Sequence, residues 1–161
     1  MYTVDIVFVV CDNRCIREMI EMLVMNATTV RNDWSTVADS VIREKPAFIK
    51  RTRDYMFLSD FVVMENLLSA YSFNAEAFTE DDGSVTLALD EIDLVENAAD
   101  MPSAVSKLAN AIFEYSEDFY EEFAYWSRGG RKTHIPYVFK ALILNDVDKI
   151  GGLIKCRHGK I

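Results

Sequence analysis

Cys11 and Arg17 are the residues of this chain whose types and spacing are best placed to do chemistry. The run Ile6-Val7-Phe8-Val9-Val10-Cys11-Asp12-Asn13-Arg14-Cys15-Ile16-Arg17 reads as a strand that delivers a thiol into a loop opening a helix. A thiolate at a helix N-terminus is a nucleophile, and an arginine six residues on would clamp an anion beside it. A second constellation is metal-binding in type. Cys11, Cys15, Cys156 and His158 supply the three sulfurs and one imidazole that tetrahedral zinc accepts. The competing reading of both sets is structural. Cys11 at the end of an apolar strand is a small buried hydrophobe, and three cysteines, an odd number, fit reduced thiols better than a disulfide framework. No catalytic residue, metal or cofactor is expected.

The spacing from Cys11 to Arg17 resembles the C-x5-R signature of cysteine phosphatases, most closely the low-molecular-weight tyrosine phosphatases. The resemblance implies Cys11 as nucleophile and Arg17 as phosphate clamp. The chain departs from that pattern in three ways. Its loop has no glycine, Glu18 follows Arg17 where that family has Ser or Thr, and no Asp-Pro pair offers a late general acid. A phosphatase-like enzyme is therefore the alternative to a non-enzymatic reading. No P-loop, dinucleotide fingerprint or G-x-S-x-G is present.

Charge is the stronger signal. Residues 54–127 hold seventeen acids against one base, Lys107, yet are rich in apolar and aromatic side chains. The net charge of −9 divides into an acidic body, residues 1–127, and a basic C-terminal segment, residues 128–161. Direct nucleic-acid binding by the body is not expected, because phosphate contacts need a basic footprint. No apolar run approaches the ~20 residues of a membrane helix, and the N-terminal run lacks the basic start of a signal peptide. A cytoplasmic protein without a membrane partner is expected.

Half of the 161 residues are hydrophobic, which suits a single globular domain over 1–161. The alternation at residues 2–10 predicts a strand, and Asp12 or Asn13 caps a helix after it. A second helix starts near Asp33 and stops before Pro46; a third is predicted from Asp54. Residues 43–53, with five basic side chains, read as a solvated loop between them. Asp81-Asp82-Gly83-Ser84 predicts the turn of a hairpin over 76–89. Pro102 opens and Gly129-Gly130 closes a long helix whose Val105, Leu108, Ile112, Tyr115, Phe119, Phe123 and Trp126 share one face. Residues 136–144 fit either helix or strand; a short strand ends the chain after Gly151-Gly152. The fold class is α+β, with several helices on a small sheet containing the N-terminal strand and the hairpin. The apolar runs of the basic segment make it part of that fold.

Opposite the aromatic face of the long helix lie Glu114, Glu117, Asp118, Glu121 and Glu122, with almost no basic neighbour at helical spacing. These five, with Asp81 and Asp82, are the candidate binding residues. They predict an inhibitor that engages a basic protein surface, in its concrete form a nucleic-acid mimic. Carboxylates at i, i+3 and i+4 lie ~5–6 Å apart, close to phosphate spacing. Such a mimic would block a nucleic-acid-binding enzyme in the manner of anti-restriction, anti-CRISPR or nuclease-immunity proteins, as a host-defence antagonist. The bland alternative is a structural interaction domain whose acidic body docks its own basic segment.

Overall fold

The computed structural model describes residues 24–158. The predicted strand at 2–10, the helix capped by Asp12 or Asn13, and Cys11, Cys15 and Arg17 lie outside those residues. The fold is α+β as expected, with seven α-helices, a three-stranded sheet and a four-stranded sheet among the described residues. The chain forms two compact units, one ending at Val63 and the other beginning at Met64.

The first unit contains β1 (Val24–Asn26), α1 (Ala27–Asn32), α2 (Trp34–Arg43), β2 (Ala47–Arg51) and β3 (Asp54–Leu58), and α3 (Phe61–Leu67) begins in it. β2 lies between a parallel β1 and an antiparallel β3. The side chain of Asn26 caps α1 by accepting from the Thr28 amide at 2.8 Å. Val30, Val37, Val41 and Ile49 form a small core, with Trp34 and Ile42 of α2 left exposed. Two expectations are corrected here. Residues 43–53 are not a loop, because their centre is β2. The helix predicted from Asp54 is instead β3, paired residue for residue with β2. The hairpin between them turns at Thr52, at φ 56°, a left-handed position without the usual glycine. The helix starts later, where Asp60 accepts from the Val63 amide at 2.8 Å.

The second unit runs through β4 (Phe73–Thr79), β5 (Val85–Leu89), β6 (Leu94–Ala98), α4 (Met101–Glu121), α5 (Phe123–Trp126), a 3-10 turn (Gly129–His134), α6 (Ile135–Leu144), α7 (Val147–Leu153) and β7 (Ile154–His158). Its sheet has the order β6-β5-β4-β7, with β7 parallel to β4 and the other pairs antiparallel. The β4–β5 hairpin is the predicted one. Gly83 takes φ 86°, and Asp82 accepts from the Ser84 amide at 2.9 Å.

The long helix α4 packs on β5, β6, α6 and α7, burying Leu108, Ile112 and Phe119. The basic segment completes this core. Val138, Ala141 and Ile150 are fully buried, and β7 extends the sheet beside β4. Residues 136–144 are helical, and Gly151-Gly152 lie inside α7 rather than breaking the chain. Asp146 makes that short helix possible by accepting from the Asp148 and Lys149 amides.

Ile112 has no exposed surface and touches both sheet and helices. Ile112→Ala should lower stability by about 2–5 kcal/mol, since a cavity adds to the lost transfer energy. Thermal unfolding checks this; a midpoint equal to that of the parent chain would contradict the core described.

Candidate functional site

α4 has two faces because its sequence has two periodic patterns. Asp100 caps it, accepting from the Ser103 amide at 2.8 Å, and Pro102 occupies its first turn. Ala104, Leu108, Ala109, Ile112, Ser116 and Phe119 are buried along one side. Ser116 satisfies its buried hydroxyl by donating to the Ile112 carbonyl at 2.7 Å. Glu114, Glu117, Asp118 and Glu121 are exposed on the other side. Glu122, also exposed, ends the helix, its amide bonding to Asp118 and Tyr120. The five predicted acids therefore form one ridge, whereas Asp81 and Asp82 sit on a different element, the β4–β5 turn. Ser84 holds the Asp82 carboxyl below its ordinary range through side-chain and backbone hydrogen bonds.

The ridge is placed against local electrostatics. Its carboxylates crowd the last two turns of α4, where the helix dipole disfavours anions. Each like pair at i,i+4, such as Glu114–Asp118 and Glu117–Glu121, adds about 0.2–0.5 kcal/mol of repulsion. None of the five forms an ion pair with a described residue.

Beside the ridge lies an aromatic cluster. Phe119 meets Tyr115, Phe123 and Trp126 at centroid distances of 5.9, 6.0 and 6.5 Å. Phe139 on α6 meets Tyr120 and Phe123 edge to face. Two members face solvent: Tyr120 is 58% exposed and Tyr125 71%. The Arg131 guanidinium lies 4.3 Å over the Trp126 ring. Under this cluster the buried His134 shares a 2.7 Å hydrogen bond between Nδ1 and the Tyr115 hydroxyl, and its Nε2 lies 3.7 Å from Asp93 Oδ2. Burial pushes the His134 pKa down and that of Tyr115 up.

The sequence reading of the ridge omitted Tyr120, Tyr125 and the His134 set. The one available signal was aromatic side chains off the apolar stripe of an amphipathic helix. His134 gave none, because its partners are distant in sequence.

Of the alternative chemistry, Cys156 and His158 are described, both exposed on β7. Partial desolvation by its neighbours nevertheless pushes the Cys156 thiol up, away from a reactive thiolate. Among the described residues no three His, Cys, Asp or Glu side chains are grouped to hold a metal ion. None of the described helices is long and apolar enough to cross a membrane.

Comparison with known proteins defines the class. Residues 19–156 match a family described as PHD-like, antitoxin of toxin–antitoxin, RelE / RelB, TA system. A solved structure from Syntrophomonas wolfei subsp. wolfei, described as an antitoxin part of a proposed toxin/antitoxin system, is 31% identical. It superimposes with a TM-score of 0.80 over 84% of this chain and 99% of its own. No curated protein matches. The chain belongs to the PHD-like antitoxin family, a class of non-enzymatic regulatory proteins.

This overturns the expected function. The nucleic-acid mimic of anti-restriction, anti-CRISPR or nuclease-immunity type and the Cys11/Arg17 phosphatase both give way to an antitoxin. The mimic rested on carboxylate spacing, which any acidic helix shares. The phosphatase rested on a short spacing match without the glycines that shape a phosphate loop.

Because the ridge lacks counter-charge, one reversal should stabilise the free protein. Asp118→Lys places a cation four residues from Glu114 and Glu122 and near the helix C-terminus, which should add about 0.5–1 kcal/mol. A thermal midpoint raised by a few degrees at low salt is expected; a lowered midpoint would contradict the uncompensated ridge.

Proposed function

We propose that this chain is the antitoxin of a toxin–antitoxin pair, and that the exposed end of α4 with α5 contacts the toxin. The toxin would be of the RelE kind named in the family description, met in the cytoplasm. One observation carries the contact: five carboxylates with no ion pair among the described residues stand where the helix disfavours them, beside the exposed Tyr120 and Tyr125. Departures from local preference of this kind concentrate at functional surfaces. The acids favour a basic toxin surface and speed encounter with it, while tyrosine, tryptophan and arginine are the side chains that most often dominate interface energy. Glu114, Glu117, Asp118, Glu121 and Glu122 are the steering set, and Asp81 and Asp82 add to the field from the hairpin tip.

Co-expression with a RelE-type toxin tests the function: growth arrested by the toxin should resume when the chain is present. Continued arrest, with no complex on size exclusion, would refute it. The contact is tested separately. Reversing Glu114, Asp118 and Glu121 to Lys should slow association at least 10-fold at low salt and flatten its salt dependence. Tyr125→Ala should instead raise the dissociation rate about 10-fold. Binding kinetics unchanged in both variants would place the contact elsewhere.

A further inference from the structure

His134 is the buried member of a group of ionisable side chains drawn from three elements. Tyr115 reaches it from α4 at 2.7 Å, and Asp93 reaches it from the β5–β6 turn at 3.7 Å. Arg131, in the same 3-10 turn, lies over Trp126 and adds positive charge to the surroundings of both His134 and Tyr115. His134 is 6% exposed, whereas Asp93 is largely open to solvent.

A neutral ring suits this arrangement. With its proton on Nε2, on the side of Asp93 but at 3.7 Å too far for a hydrogen bond, Nδ1 accepts from the Tyr115 hydroxyl. A second proton on Nδ1 removes that acceptor. The Tyr115 hydroxyl must then turn round and find another acceptor for its own proton, in a site partly covered by aromatic rings. Burial is the main opposition to the added charge; Asp93 attracts it through solvent, and Arg131 repels it less strongly.

We propose that His134 is a pH-responsive clasp for the Gly129–His134 turn. Neutral, it ties the turn to α4 through the Tyr115 hydroxyl; protonated, it gives up that tie and loosens the turn, and with it the Arg131–Trp126 stack on α5. The direction follows from the imidazole's preference for neutrality here, since burial lowers its pKa from the ordinary 6.5. The closed turn is fully held above 6.5, and its hold is lost progressively as pH falls toward the depressed value. The clasp is independent of the toxin-contact reading, because it is tested on the free chain.

The chain has two tryptophans and two histidines, so full-length Trp34→Phe leaves Trp126 as the sole indole reporter. Its emission, followed from pH 8 to pH 5, should show one sigmoidal change with a half-point below 6.5. The change should persist in a His158→Gln background and vanish in His134→Gln. The same change in His134→Gln, or no change with His134 present, would overturn the proposal. Should His134→Gln fail to fold, ring-nitrogen NMR of the unaltered chain decides. His134 should gain its proton at the Trp126 half-point, and a ring still neutral when the emission has changed would overturn the clasp.

Discussion

Burial of the apolar stripe of α4 is the interaction on which the second unit depends. Leu108 and Ile112 are sealed in one core with residues of β4, β5, α6 and α7, and Phe119, also buried, packs among the aromatic rings of α4 and α5. Each such side chain contributes roughly 1.5–3 kcal/mol, more than any surface pair in the molecule can offer. That stripe explains why the basic segment folds back. Without Val138, Ala141 and Ile150, part of α4 would face water. β7 then completes the return by pairing in parallel with β4. The two oppositely charged parts of the chain are thus joined by apolar packing, with charge as a secondary effect.

The firm seat of α4 makes its outer face free to break local rules. A helix held only by its own propensity would be disfavoured by five carboxylates in and beyond its last two turns, at a few tenths of a kcal/mol per like pair. A helix held by a buried core tolerates them. The same core presents Tyr120 and Tyr125 at the edge of an aromatic cluster whose other members are packed. Rigid aromatic anchors beside a strong field are a physical basis for fast and specific protein recognition. His134 sits where this surface joins the rest of the unit, so its protonation state bears on how firmly the end of α4 is held.

Much of this architecture was legible residue by residue. The Pro102 start of α4, its stripe as far as Phe119 and the Asp82-Gly83 turn follow from helical period and positive φ and are found. The predicted helix breaks at Glu122, short of Gly129-Gly130, so Phe123 and Trp126 fall on α5. The misreading at Asp54 has a physical cause. An acid before apolar residues signals a cap, but strand pairing with β2 took those residues, and the true cap was Asp60. Thr52 gave no warning of the intervening turn, since a left-handed threonine has no sequence signature. The acidic ridge was legible because charge needs no partner to be counted. Tyr120, Tyr125 and the His134 set were not, because exposure and long-range contact exist only once the helices are packed. Function was the least legible. Charge indicates the sign of a partner's surface, while membership of an antitoxin family is distributed over residues 19–156 and carried by no short motif.

The central claim is that the end of α4 and α5 form the toxin-binding surface. Hydrogen–deuterium exchange of the full chain, with and without its toxin, tests it most directly. The account predicts new protection at amides 117–126 in the complex, with peptides of the buried stripe at 104–112 already slow in the free chain. Protection confined to other segments, with 117–126 exchanging as in the free chain, would contradict it.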